Sequence, residues 1–112
     1  MSAITTHVLD TARGVPAAGV PVTLDALGPE GWRALGTGAT DADGRLRTLL
    51  PPGVVAEQGM YRLTFDTGAY FRAIGAEGFY PEVTVTFTVR DGRHHHVPLL
   101  LSPFGYSTYR GS

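Results

Sequence analysis

A chain of 112 residues makes one domain, 1–112, with room for a single hydrophobic core. Nine basic and ten acidic residues leave a net charge of −1, so nothing electrostatic recommends nucleic acid or an anionic membrane as a partner. Arginine supplies all the Lys+Arg and cysteine is absent, which excludes lysine Schiff bases, thiol nucleophiles, thiolate metal sites and disulfides together.

Fifteen glycines and eight prolines punctuate segments rich in Val, Thr, Leu, Phe and Tyr, the pattern of short strands joined by turns. A first strand is predicted from Ile4 to Asp10, a second over residues 20–26 and a third over 32–37. Asp41-Ala42-Asp43-Gly44 reads as a tight turn into a fourth strand over 45–50, stopped by Pro51-Pro52-Gly53. Residues 60–66 alternate, with Tyr61, Leu63 and Phe65 on one face and Arg62, Thr64 and Asp66 on the other. A short helix is predicted over 67–75, where Tyr70 and Phe71 lie four and three residues before Ile74 and Gly75 sits at the stop. Val83 to Val89 alternates most regularly, and Asp91-Gly92 reads as a hairpin turn into a last strand over 93–101. Seven or eight such strands with one helix argue a two-sheet sandwich. The opening residues lack the basic and apolar regions of a secretory signal, so a cytoplasmic location is expected. No run approaches the roughly 20 apolar residues that cross a bilayer.

Three stretches carry a family resemblance. His7-Val8-Leu9-Asp10-Thr11 with Gly14-Val15-Pro16-Ala17 resembles the N-terminal signature of the transthyretin-like proteins, and Thr40-Asp41-Ala42-Asp43-Gly44-Arg45 their central turn. His96-Val97-Pro98-Leu99-Leu100-Leu101-Ser102-Pro103, followed by Tyr106-Ser107-Thr108-Tyr109-Arg110-Gly111-Ser112, is similar to their C-terminal signature. The resemblance covers essentially the whole chain and implies the transthyretin-type β-sandwich. That family has a branch of 5-hydroxyisourate hydrolases and a branch of hormone carriers. The enzyme branch is known for a terminal Tyr-Arg-Gly-Ser, two histidines on different strands and an arginine after the Asp-Gly turn. Here Tyr109-Arg110-Gly111-Ser112, His7, His96 and Arg45 match those positions. One departure is visible: the family's His-aromatic-His is His94-His95-His96 in this chain.

Strand parity gives an independent check. Thr5, His7 and Leu9 share a face, and His94, His96, Pro98 and Leu100 share another, opposite the apolar Val97, Leu99 and Leu101. His96 therefore points away from the core, onto the surface from which the family builds a channel between subunits. The resemblance implies opening of the cyclic amide of 5-hydroxyisourate in urate degradation. Such a reaction needs an activated water, a proton for the leaving nitrogen and positive charge near the oxyanion. His7 and His96 are expected to activate water and shuttle the proton, and Arg45 to hold the anionic substrate. Arg110 and Ser112, by hydroxyl and α-carboxylate, would orient these groups, and Tyr109 would close the pocket. Side chains cover every step, so neither metal nor organic cofactor is expected. The resemblance also implies a homotetramer, a dimer of dimers with active sites at the subunit interface.

Plainer readings compete. His94 and His96 could grip zinc, but no third ligand is evident. His94 and His95 are expected to be solvated or interfacial, and Arg47, of the same parity as Arg45, a solvated edge charge. Asp41 and Asp43 fit turn chemistry better than Ca²⁺ ligation. Ser107 and Ser112 lack a Gly-x-Ser-x-Gly elbow, against a serine nucleophile. A carrier would want an open apolar channel, which His7, Arg45 and Tyr109 oppose. A purely interacting sandwich leaves the two histidines, the arginine and the tail unexplained.

Overall fold

A computed structural model describes residues 2–112, and these form nine strands and one short helix. In chain order they are β1 Ile4–Asp10, β2 Val15–Pro16, β3 Pro21–Gly28, β4 Gly31–Ala39, β5 Arg45–Leu46, β6 Gly59–Phe65, α1 Thr67–Ala73, β7 Val83–Val89, β8 His95–Ser102 and β9 Gly105–Thr108. One sheet runs β2-β1-β8-β9, with β5 also paired to β1; the other runs β4-β3-β6-β7. The expected two-sheet sandwich is therefore the fold. Alternation decides its interior: Ile4, Val8, Leu99 and Leu101 from the first sheet meet Leu24, Leu63 and Phe65 from the second, all fully buried.

A buried carboxylate ties the first sheet to the helix. Asp10, 1% exposed at the end of β1, accepts the Tyr70 hydroxyl at 2.7 Å and the Arg13 N–H at 3.0 Å. Burial, then the Asp10 carboxylate, pushes the Tyr70 phenol pKa up, so the hydroxyl stays a donor. The helix itself starts where Asp66 accepts the Ala69 N–H and stops before Gly75, at φ 71°.

Three expectations need correction. The strand predicted over 45–50 ends at Leu46, and beyond it Leu49 and Leu50, 2% and 6% exposed, pack into the core without pairing in a sheet. The chain there presses on β4 so closely that a Cβ on Gly36 would lie 1.9 Å from the Leu49 carbonyl oxygen. Asp91-Gly92 makes the expected local turn, with Asp91 accepting the Arg93 N–H at 3.0 Å, but no hairpin follows. It carries the chain from β7, at the edge of one sheet, to β8, inside the other. Finally, β2 and β9 raise the count above the seven or eight expected; β9 folds back on β8 with Ser102 opposite Gly105.

Candidate active site

Two registers on β1 assemble the site. Parallel pairing with β8 sets Thr5 beside His96, and antiparallel pairing with β5 sets His7 beside Arg45. His7 and His96 stand half-buried between buried neighbours, so both rings leave the sheet on its outer face. Their centroids are 6.5 Å apart.

The turn before β5 holds both Arg45 and His7. The Asp41 carboxylate accepts the Asp43 and Arg45 N–H groups at 2.9 and 3.0 Å, which, led by Arg45, lowers its pKa. Gly44 takes φ 76° there, and a Cβ on it would sit 2.4 Å from the Val8 carbonyl oxygen. His7 Nε2 lies 2.9 Å from the Asp43 carbonyl oxygen. A carbonyl only accepts, so Nε2 carries the proton and Nδ1 is the accepting nitrogen of the neutral ring.

Thr5 faces outward yet is only 3% exposed, because two imidazoles cover it. Its Oγ1 lies 2.8 Å from both His94 Nε2 and His96 Nδ1. Burial first, then the charges of Arg45, His94, His7 and Arg47, lowers the His96 pKa from its ordinary 6.5, so the ring is neutral at pH 7. Beyond it the chain returns: the Gly111 N–H donates to the His96 carbonyl at 2.8 Å. Gly111 lies flat on the imidazole, where a Cβ would be 2.6 Å from Cδ2. This contact delivers Ser112 to a recess of about 130 Å³, lined also by Thr5, Arg45, Arg47, His94 and His96.

A larger groove of about 440 Å³ opens elsewhere, around Leu27, Leu50, Val54 and Met60 with Arg33 and Glu57. It holds no histidine and neither Arg45 nor Arg47, so size does not mark the chemistry here.

The HIUase/Transthyretin family model matches residues 4–111. The chain belongs to this family. It is 47% identical over 110 residues to 5-hydroxyisourate hydrolase of Salmonella dublin, covering 97% of this chain and 80% of that protein. Among solved structures it is similar to 5-hydroxyisourate hydrolase of Klebsiella pneumoniae, with a TM-score of 0.87 and 38% identity over the whole of both chains. It is equally similar in shape to sea bream transthyretin in complex with thyroxine, with a TM-score of 0.89 and 33% identity over 96% of this chain and 93% of that one. Backbone likeness thus places the chain in the HIUase/Transthyretin family without separating its branches; side chains must do that.

Of the residues singled out from the sequence, His96, Arg45 and Ser112 line the recess and His7 stands beside it. Tyr109 and Arg110 do not reach it within one protomer; they line a groove of about 240 Å³ with Val85 and Phe87 of β7 and Val97 of β8. His95 is buried rather than solvated: strand parity turns it inward, and its Nδ1–H donates to the Arg93 carbonyl at 2.8 Å. Arg47 is more than an edge charge, since it joins Arg45 at the recess and lies 3.6 Å from Asp41. His94, expected to be solvated or interfacial, is exposed and also lines the recess; Thr5 is a recess residue that residue type did not mark, although its outward parity with His7 is readable.

Proposed function

We propose that the chain hydrolyses 5-hydroxyisourate to 2-oxo-4-hydroxy-4-carboxy-5-ureidoimidazoline, a step of urate degradation. The observation that carries this reading is His96, neutral and next to His7, at a recess shared by Arg45 and Arg47. Water must attack the ring carbonyl, negative charge must collect on oxygen, and the leaving nitrogen must take a proton. His7 Nδ1 accepts a hydrogen bond from the water and orients it. His96 Nε2 takes the water's proton and returns it to the leaving nitrogen. Arg45 and Arg47 hold the anionic substrate and offset the growing oxyanion charge, and the Ser112 hydroxyl adds a donor. Side chains perform every step, so the mechanism uses no cofactor.

A recess of about 130 Å³ is small beside the roughly 300–1,000 Å³ of ligand-enclosing sites. A second protomer facing the sheet would complete it, and the half-buried Leu9 and Leu100 extend the same outer face. The assembly we propose is a homotetramer of two dimers, in which Tyr109 and Arg110 serve a site from a neighbouring subunit.

A carrier reading has the thyroxine complex of the sea bream structure in its favour. Two guanidinium groups and two imidazoles around the recess oppose it, because covering them with the apolar body of an aromatic ligand costs their hydration. The test is ultraviolet decay of 5-hydroxyisourate generated in the cuvette by urate oxidase. Added protein should speed the decay above the spontaneous rate. No acceleration by the assembled protein would overturn the hydrolase reading and favour the carrier. In the same assay Gly111→Ala should cost roughly 100-fold in kcat, the penalty of about 1 Å of misplacement, because its Cβ and the His96 ring compete for one space. Unchanged kcat would mean that the tail does not position His96.

A further inference from the structure

We propose that Thr5 is a positioning residue whose hydroxyl passes a proton between His94 and His96, which makes His94 a working member of the site. The inference rests on the hydrolase reading above. A hydroxyl has one proton, yet Thr5 Oγ1 lies 2.8 Å from a ring nitrogen of each histidine. It can donate to only one of them and has lone pairs to accept from the other, and this division of roles is the one a relay uses. Two arrangements follow. When Thr5 donates to His94 Nε2, His96 Nδ1 carries a proton and donates to Thr5, so neutral His96 presents a bare Nε2, a base. When Thr5 donates to His96 Nδ1, His94 Nε2 is the donor to Thr5 and His96 presents Nε2–H, an acid.

The relay lets His96 serve as base and then as acid without holding a positive charge beside the arginines. In the first arrangement, His96 Nε2 takes a proton from the attacking water as the C–O bond forms. The His96 Nδ1 proton then moves to Thr5 Oγ1 while the Thr5 proton moves to His94 Nε2. Positive charge passes from half-buried His96, beside Arg45 and Arg47, to exposed His94, where water solvates it. His96 is now a neutral acid. It gives its Nε2 proton to the nitrogen as the C–N bond breaks, while His94 returns a proton through Thr5 to His96 Nδ1. One water proton reaches the leaving nitrogen and every side chain is restored. The other ionisable groups around the relay are His7 on β1, Arg45 on β5, Arg47 just after it, Asp41, which pairs with Arg47, and the α-carboxylate of Ser112 at the recess.

The experiment pairs Thr5→Val, which keeps shape and strand preference but lacks the hydroxyl, with Thr5→Ser, which restores it. Thr5→Val should lower kcat at least tenfold, less than the roughly 10²–10⁴-fold of a lost general base, with little change in KM. Thr5→Ser should recover most of the loss. The acid limb of log kcat against pH should change slope from two protons to one in Thr5→Val, because His94 no longer matters. For the same reason His94→Gln should cost nothing further in the Thr5→Val background. Wild-type slope in Thr5→Val, or effects of the two substitutions that multiply, would overturn the relay. ¹⁵N NMR of the histidine rings, without substrate, separates this from failure of the hydrolase reading. His94 and His96 should titrate as a coupled pair in wild type and with weaker coupling in Thr5→Val, where only the repulsion between the two rings is left; independent titration in wild type, or coupling unchanged in Thr5→Val, would sink the relay whatever the protein hydrolyses.

Discussion

Replacing His96 by alanine should lower kcat by roughly 10²–10⁴-fold, the contribution of a positioned acid–base group. The loss falls on kcat because the arginines that hold an anion, Arg45 and Arg47, remain. The wild-type pH profile carries the same signature with a definite sign. His96 must be neutral to take a proton, and burial, followed by Arg45, sets its pKa below 6.5. The active form therefore persists as pH falls through 6.5 and is lost only below it. Arg45→Gln removes one of the charges holding that pKa down, so its acid limb should move up toward 6.5. A profile of kcat/KM reads both, since it reports the free enzyme. A wild-type limb centred above 6.5, or full activity in His96→Ala, would remove His96 from the mechanism.

Asp10→Ala should give the largest loss of stability of any single polar substitution in the first sheet, roughly 3 kcal/mol. The buried carboxylate accepts two hydrogen bonds, and bonds to charged groups contribute about 1.5–3 kcal/mol each. Its removal also strands the Tyr70 hydroxyl, which is otherwise buried, away from its only acceptor among the described residues. Asp10→Asn should cost less, because its carbonyl oxygen can still accept. Urea unfolding at matched protein concentration is the measurement, so that assembly does not bias the comparison. A loss under about 1 kcal/mol in Asp10→Ala would mean that water replaces the carboxylate and that the tie between β1 and the helix is loose.

How much could be read beforehand follows from where the physics is local. β6 and β7 are legible because their residues alternate, β1 because β-branched and apolar residues run up to the turn after Asp10, and the helix because Asp66 caps it and Gly75 stops it. Residues 47–50 misled because Leu49 and Leu50 are apolar for the sake of the core, not of a strand face. Asp91-Gly92 misled differently. The side chain that makes its turn acts over two residues, whereas the sheet that receives the next strand is a property of the whole molecule. The site divides in the same way. His7, Arg45, His96 and Ser112 stood out by residue type and resemblance, and parity aimed the histidines correctly. Thr5 did not, because a threonine on a strand has every reason to be there. Only the parallel register of β1 and β8, which no local pattern encodes, sets it between two imidazoles.

That register also governs the order in which the molecule can come into being. Thr5 and His96 are 91 positions apart, and β1 has no partner on that edge until β8 exists. A ribosome adding about 5–20 residues per second leaves β1 waiting on the order of ten seconds. Meanwhile β3, β4, β6 and β7, contiguous but for β5 and the helix, can close their own antiparallel sheet. Through that interval Ile4 and Val8 are apolar and one edge of their strand is open, which makes β1 the segment a nascent-chain chaperone would meet. The long loop closure that ends the wait is the slow step expected of such non-local pairing. The candidate catalytic face is thus the last part of the sandwich to be completed, and an incomplete chain lacking β8 keeps His7 and Arg45 but has neither His96 nor Ser112 to set beside them.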